Sequence, residues 1–328
     1  MIALPKFPDE PWYLKFVEEN AIDKRLINEE RRKEELLKYE EILRQVISKE
    51  DFNEDKQKYT LFQSLIIASY SELERIKEKL ESCAEIEFFE TKIVEGKEKR
   101  TLKDEWKKIY NLYDKLIRND MNIELVERYG IKCCPYCNQN YIFNRKKKKG
   151  KSYSMAQLDH YYARDKFPIF AVSLYNLIPS CSTCNHIKSA NEIGVSPHNR
   201  KYDFSQMHIS YSPTNADYLN NTDSFKIEFS YDDNESEFKK KLENNLNEMG
   251  IKESYEMHKD YVVEILKKAQ IYDKSHRINI MNDLPELFSS DDELIQTIFA
   301  NYIKEEDLLK RPLSKLTRDL LKEMEIIG

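Results

Sequence analysis

Five of the six cysteines lie in two short clusters, CCPYC at 133–137 and CSTC at 181–184. Each cluster contains a CxxC unit, and two such units offer one Zn²⁺ ion the four ligands of a tetrahedral site. This pairing predicts a zinc centre formed by Cys134, Cys137, Cys181 and Cys184. A site closed by four thiolates has no open position for water, so the zinc would be structural and would not activate a nucleophile.

The gap between Cys137 and Cys181 is 43 residues, which is longer than the gap in a simple zinc ribbon. The zinc would therefore hold together the two ends of a larger inserted segment. Cys133 could replace Cys134, although its spacing to Cys137 is less favourable. Cys83 is most simply a core residue on the face of a helix.

The inserted segment carries Asp159-His160 after a strand-like run, then Asn176, and then Asn185 directly after the last cysteine. An imidazole has an ordinary pKa of about 6.5, so His160 suits the role of a general base at neutral pH. Neighbouring side chains of a strand point to opposite sides. Asp159 could therefore hold a metal ion while His160 faces a nucleophilic water, provided that the strand twists near its end.

Taken together, the stretches CPYC, LDHYY, YNLIPS and CSTCNHIK resemble the HNH nuclease family, which has the ββα-metal fold. The resemblance covers about residues 131–200, and all of the motif elements occur in the family's order. Two features depart from the family pattern. The proline that follows Asp-His is displaced to Pro168, and the usual glycines of the intervening loop are missing.

The resemblance implies phosphodiester hydrolysis in which His160 is the base and Asp159 and Asn185 bind a catalytic divalent metal. Asn176 would support the loop or orient the ring of His160. Oxygen ligands favour Mg²⁺, with Mn²⁺ as the alternative. His186 is adjacent to Asn185 and could hold the metal instead, which would favour Mn²⁺ or Ni²⁺. Taken singly, each of these residues also has a structural interpretation as a cap, a turn residue or a satisfied core residue.

The elements that position this segment have their own patterns. Apolar residues at helical spacing predict helices over 27–50, 60–83 and 102–118, and the helical pattern resumes over 236–328. Alternating residues predict a short hairpin over 85–96 and strands over 140–144, in the run before Leu158, and over 224–231.

The predicted fold is mainly α with a small α+β insert. A zinc-stapled ββα-metal (HNH) domain at 131–205 would lie between an N-terminal helical region at 1–130 and a mainly helical C-terminal region at 206–328.

The net charge of −6 is unevenly distributed along the chain. Residues 131–205 carry twelve Lys/Arg and four acidic residues, an excess of positive charge that is typical of a phosphate-binding module. The KKKKGK run at 146–151 lies between two strand-like segments, so it would form a hairpin tip that contacts backbone phosphates without reading base identity. Lys188 could also contact phosphate, or it could simply be exposed on a helix.

We therefore predict an enzyme, a metal-dependent HNH endonuclease that cleaves DNA. Two alternatives stay open: an HNH nuclease that acts on RNA, and a non-catalytic zinc module that binds nucleic acid or a partner protein. The layout also resembles bacterial HNH proteins that accompany an ATPase in anti-phage defence, as in Septu-like systems. No GxxxxGK[ST] motif is present, so any use of ATP would belong to that partner.

The expected location is the cytoplasm, without a membrane partner. The longest apolar stretch, SLIIASY at 64–70, is too short to cross a bilayer, and the first residues show no secretion signal.

Overall fold

The structure is a computed structural model that describes residues 1–22, 28–83, 86–94, 97–146, 150 and 152–328. The first region is helical with one hairpin: α1 (Glu10–Ala21), α2 (Glu29–Leu43), α3 (Leu61–Ile66), α4 (Tyr70–Ser82), β1 (Phe89–Val94), β2 (Lys97–Leu102), α5 (Asp104–Arg118) and α6 (Met121–Tyr129). The middle region holds β3 (Asn144–Lys146), β4 (Ser152–Ser154), β5 (Gln157–His160), β6 (Leu177–Ser180) and α7 (Ser182–Lys188). The last region holds β7 (Met207–Pro213), β8 (Phe225–Tyr231), α8 (Glu237–Glu248), α9 (Ile251–Glu256), α10 (Lys259–Ile271), α11 (Lys274–Asp283), α12 (Asp291–Phe299) and α13 (Ser314–Glu323).

The described residues confirm the coarse fold class, which is mainly α with small two-stranded sheets. The helix predicted over 102–118 and the strand predicted over 224–231 are α5 and β8. The predicted hairpin at 85–96 starts later and extends further, as β1 paired with β2. Residues 85, 95 and 96 of that prediction lie outside the described residues. None of the helices in the described part of the chain is long and apolar enough to cross a bilayer.

Two predicted helices are shorter in the structure than in the sequence pattern. The helix predicted over 60–83 is divided into α3 and α4, because Ser69 and Glu72 form a capping box that begins a new helix. The helix predicted over 27–50 ends at Leu43, and its first residue lies outside the described part of the chain. The apolar periodicity continues across the break between α3 and α4 and past the end of α2. It therefore did not reveal where these helices begin and end.

A single cluster of buried apolar side chains runs from the residues before α1 to Leu321 in α13. It includes inward-facing residues of α4, α5, β5, β6 and the C-terminal helices. The predicted boundaries near 130 and 205 therefore lie within one shared core, and the division into three domains stays a prediction.

The strands β5 and β6 form an antiparallel pair, in which Asp159 is opposite Ile178 and His160 is opposite Leu177. The helix α7 begins directly after β6, with Cys181 as its N-cap. This strand–strand–helix order is compatible with the ββα unit that the HNH resemblance predicts. The order is not specific enough to define a family, so the HNH fold stays a prediction.

A second small hairpin lies next to this unit. β3 pairs with β4 in a register that places Lys146 opposite Ser152, on either side of the basic run. The predicted hairpin tip thus falls between two paired strands, but Lys147, Lys148, Lys149 and Lys151 lie outside the described residues.

Candidate functional site

The four cysteines of the predicted zinc centre come together in the structure. The Sγ atoms of Cys134, Cys137, Cys181 and Cys184 all lie within 4.8 Å of one another, and all four residues are buried. A tetrahedron with zinc–sulfur distances of about 2.3 Å has edges of about 3.8 Å, so the cluster has the size of a zinc site. The residues fit a structural zinc ion that would join the CPYC loop to the start of α7.

The loop around the cysteines is shaped to present thiolates. The backbone N–H of Asn138 donates to the carbonyl of Cys134 at 2.8 Å, which closes the CPYC turn, and Asn138 has a φ of 53°. Two N–H groups point at the Cys181 sulfur, from the Asn140 amide at 3.5 Å and from the Cys184 backbone at 3.5 Å. Donors of this kind stabilise sulfur that carries negative charge.

The two remaining cysteines do not belong to this cluster. Burial raises the pKa of the Cys133 thiol to about 12, and Cys133 forms an isolated bridge with Tyr141. Cys134 therefore takes the ligand position that the sequence left open between the two residues. Cys83 is half-buried and follows the last residue of α4 as its C-cap, so it lies at the end of the helix and not on its inner face.

Asp159 lies inside the protein and both of its carboxylate oxygens are bonded. The Tyr136 hydroxyl donates to Oδ2 at 2.6 Å, and the Lys188 ammonium donates to Oδ1 at 3.1 Å. Only 2% of Asp159 is exposed. Burial raises the pKa of the Asp159 carboxyl above its ordinary value, and Lys188 and Tyr136 offset part of that rise.

Lys188, the last residue of α7, is 1% exposed, although lysine is almost never fully buried unless it is paired. Besides Asp159, its ammonium donates to the backbone carbonyl of His160 at 2.8 Å. The sequence alternatives for Lys188 were a phosphate contact or an exposed position on a helix. The structure shows neither, because the ammonium is bonded to the Asp-His pair in the interior.

His160 contacts the opposite side of β5. Its Nε2 lies 2.9 Å from the carbonyl of Ala171, so Nε2 carries the proton and donates. The Tyr113 ring packs edge-on at 4.4 Å between centroids. Nδ1 is then the nitrogen of the ring that can accept a hydrogen bond. It is not one of the fully buried atoms that lack a partner among the described residues. Burial lowers the pKa of His160 to about 4, so the imidazole is neutral at physiological pH.

Asn176 fixes the loop that orients His160. Its side-chain oxygen accepts from the Tyr162 backbone N–H at 2.7 Å, and its amide donates to the carbonyls of Tyr162 and Phe170, each at 3.1 Å. Phe170 precedes the residue whose carbonyl binds the His160 ring. Asn176 is fully buried, and its part in the predicted reaction stays a prediction.

Asn185 and His186 lie in an open surface groove of about 740 Å³ beside α7. The Asn185 amide donates to the Gln157 side chain at 2.6 Å, and His186 is exposed. Gln157 and Asp159 are two residues apart in β5, and Asn185 and Lys188 are three apart in α7. The helix therefore runs along one side of the strand, with Asn185 next to Gln157 and Lys188 next to Asp159.

Asp159 and Asn185 do not form a divalent-metal site in this conformation, because the oxygens of Asp159 are engaged and enclosed. Among the described residues, the cysteine cluster is the one group of three or more His, Cys, Asp or Glu side chains close enough to share an ion. The metal-binding roles of Asp159, Asn185 and the alternative His186 stay predictions.

Three side chains at this site were not assigned these contacts from the sequence: Tyr113, Tyr136 and Lys188. Tyr113 follows the apolar spacing of α5, which indicates a packing position and no contact with a site residue. Tyr136 lies within the CPYC motif, but nothing in that motif indicates where its hydroxyl points. The contacts of both tyrosines depend on how elements that are distant in the sequence pack against β5.

Part of the positive charge in 131–205 is balanced locally. Arg164 pairs with Asp114 at 2.9 Å, and Lys166 pairs with Glu192 at 3.0 Å. Within the described residues, positive charge without an ion pair is found at the two basic residues of β3 and also at Lys132 and Arg200, so it is not confined to the β3–β4 hairpin.

Comparisons of the chain with protein-family models, with curated proteins and with solved structures find no match. The HNH resemblance therefore rests on the motif residues, and the part of it that the structure supports is the four-cysteine cluster.

Proposed function

We propose that this protein is a metal-dependent endonuclease of the HNH type that cleaves DNA. One observation carries the proposal: a neutral, anchored His160 at the end of β5, in a strand–strand–helix unit next to the four-cysteine cluster. A general base needs a ring nitrogen that can accept a proton from water, and His160 Nδ1 is not among the fully buried unpartnered atoms, whereas His198 Nδ1 is. The zinc would hold the unit together and take no part in the chemistry.

The chain's own residues have separate parts in the proposed reaction. His160 Nδ1 accepts the proton of the attacking water, while Ala171 and Tyr113 hold the ring in place. A bound phosphate would raise the pKa of His160 from about 4 towards the range of an effective base, because a nearby negative charge favours the imidazolium. Asn176 acts at a distance, through the loop that carries Ala171.

The substrate and the partner are inferred from the charge of the β3–β4 hairpin and from the family resemblance. The basic β3–β4 hairpin suits contacts with the phosphate backbone, which DNA and RNA share. We propose DNA as the substrate because the family that the motifs resemble acts on DNA. The same resemblance suggests an ATPase partner and a role in anti-phage defence, since a nuclease of low sequence preference would need to be controlled.

A second candidate function is a non-catalytic zinc module that binds nucleic acid or a partner protein. The observation that favours it is the buried Asp159–Lys188 pair, which has the form of an ordinary structural ion pair. A binding module would be compatible with that pair in every state of the protein.

A cleavage assay separates these functions. Purified zinc-loaded protein is incubated with supercoiled plasmid and, separately, with a structured RNA, in Mg²⁺, in Mn²⁺ or in EDTA. The proposal predicts nicked or linear plasmid with a divalent ion and intact plasmid in EDTA. Cleavage of RNA alone would replace DNA as the substrate. Binding of plasmid without cleavage in all three conditions, by the wild-type protein and also by Lys188→Gln, would contradict the nuclease and favour the zinc module.

A further inference from the structure

The Lys188 ammonium is bonded to Asp159, the carboxylate that the HNH resemblance predicts to bind the catalytic metal. It lies 3.1 Å from Asp159 Oδ1 and 2.8 Å from the carbonyl oxygen of His160, and both charged side chains are almost completely buried. The carboxylate predicted to bind the metal is therefore already neutralised by a positive charge from the same chain.

The Lys188 ammonium is bonded to Oδ1 of the Asp159 carboxylate and not to Oδ2. The other oxygen accepts from the hydroxyl of Tyr136, which belongs to the CPYC loop. Tyr136 would keep the carboxylate in place if the ammonium left. Two cations cannot share Oδ1 at close range, since like charges repel strongly in a poorly solvated site.

The position of Lys188 in α7 allows such a departure. It is the last residue of a short helix, and Ser189 directly after it has a φ of 46° and a ψ of −125°, a backbone conformation that is unfavourable for a non-glycine residue. Residues 189–192 are exposed, and the lysine side chain is long and flexible. Movement of the helix end would take the ammonium away from β5 while leaving Cys181 and Cys184 at the other end of α7.

We infer that Lys188 keeps the site in a resting state, and that its ammonium must leave Asp159 before a divalent cation can bind there. This inference rests on the proposed function, because it concerns the regulation of that same site. In the resting state Lys188 stabilises a buried carboxylate, and in the active state the divalent cation would replace it.

The experiment measures Mn²⁺ binding to full-length, zinc-loaded protein by electron paramagnetic resonance of free Mn²⁺. The variants are Lys188→Gln and Lys188→Met, each also combined with Asp159→Asn, and the matched control is Lys166→Gln at an exposed lysine. Lys188→Gln keeps a hydrogen-bond donor for the His160 carbonyl, so it serves if Lys188→Met fails to fold. Circular dichroism and zinc content check each protein, and melting temperatures with and without Mn²⁺ give a second measure of binding.

Lys188→Gln should bind Mn²⁺ at least about tenfold more tightly than the wild-type protein, since a competing charge has been removed. The gain should vanish when Asp159→Asn is added, and Lys166→Gln should behave as wild type. Equal affinity in Lys188→Gln and wild type, or a gain that persists without Asp159, would overturn the inference. A Lys188→Gln protein that binds Mn²⁺ through Asp159 yet leaves DNA intact would uphold it and contradict the proposed nuclease.

Discussion

Asp159 and His160 are neighbours in β5, yet they contact opposite sides of the strand. Asp159 faces α7 and the CPYC loop, where Lys188 and Tyr136 bind it. His160 faces α5 and the loop held by Asn176. At the residue scale, the base and the carboxylate are therefore held by separate parts of the protein, and one can be altered without directly removing a contact of the other.

Replacing Ser189 with glycine tests the strain at the end of α7. Ser189 has a φ of 46°, which glycine adopts freely, whereas a non-glycine residue in such a region pays about 1–3 kcal/mol. Glycine costs more conformational entropy on folding, so the net gain in the free energy of unfolding should be about 1 kcal/mol. Urea unfolding measures it, with Ser182→Gly, at the first residue of α7, as a control that should gain no stability. A less stable Ser189→Gly protein would contradict the prediction.

His198 should make the protein sensitive to acid. It is 3% exposed, and burial lowers its pKa from 6.5 to about 4. The unfolded chain therefore binds a proton more readily between those values, so the stability that depends on neutral His198 is present above pH 6.5 and is lost as pH falls towards 4. The expected loss from this group between pH 7 and pH 5 is about 2 kcal/mol.

The variant His198→Gln should reduce the dependence of the unfolding free energy on pH by about that amount. The exposed His186→Gln is the matched control. Chemical denaturation at pH 7 and pH 5 gives the comparison, and an unchanged pH dependence in His198→Gln would show that the histidine is not held neutral in the folded protein.

Residue types and strand alternation were sufficient to predict that Asp159 and His160 face opposite sides. They did not predict Lys188 as the partner of Asp159, because a lysine at the end of a short helix is usually solvated. The pairing arises from the packing of α7 along β5, which brings together residues that are far apart in the sequence.

At the element scale, the strands and the helix are short and depend on their surroundings. β5 and β6 have four residues each and α7 has seven, too few for any of them to be stable alone. The CxxC spacings predicted the four-cysteine cluster that joins these elements. The break between α3 and α4 was not predicted, because the apolar pattern continues across it.

Removal of the zinc should therefore unfold this part of the protein. We expect one zinc ion per chain by elemental analysis, and its loss in Cys181→Ser or on treatment with a strong chelator. Cys133→Ser and Cys83→Ser are matched controls that should retain the metal, since neither sulfur belongs to the cluster. Binding of a structural zinc contributes folding free energy, so circular dichroism and the melting temperature should fall together with zinc content. Zinc-free, fully folded protein purified without a chelator would contradict the account.

At the scale of the whole molecule, the flanking regions complete the site. Tyr113 in α5 packs against His160. The C-terminal region binds the residue that follows the CPYC loop. The Asn138 side chain donates to the carbonyl of Leu308 at 2.9 Å and accepts from the backbone N–H of Lys315 at 3.1 Å. Contacts over such sequence distances could not be predicted from local patterns, which is why the flanking regions were described only as helical.

Asn138→Gly tests this coupling without straining the backbone, because residue 138 has a φ of 53°. The change leaves two buried backbone groups without partners, and the expected loss of stability is about 2–4 kcal/mol. Zinc should also be released to a chelator more readily. The exposed Asn234→Gly is the control. Unchanged stability and unchanged zinc release would show that the contacts of Asn138 with the C-terminal region do not support the cysteine cluster.

The central claim is that His160 acts as the base of a nuclease, and the most direct measurement is plasmid cleavage by purified His160→Ala protein. Zinc content and circular dichroism should match the wild-type protein, while the cleavage rate should fall by about 10²–10⁴, the usual cost of losing a positioned general base. His208→Ala, at a half-exposed position of β7 where the ring pairs with Asp232, should cleave at the wild-type rate. Full activity of a folded, zinc-loaded His160→Ala protein would contradict the account.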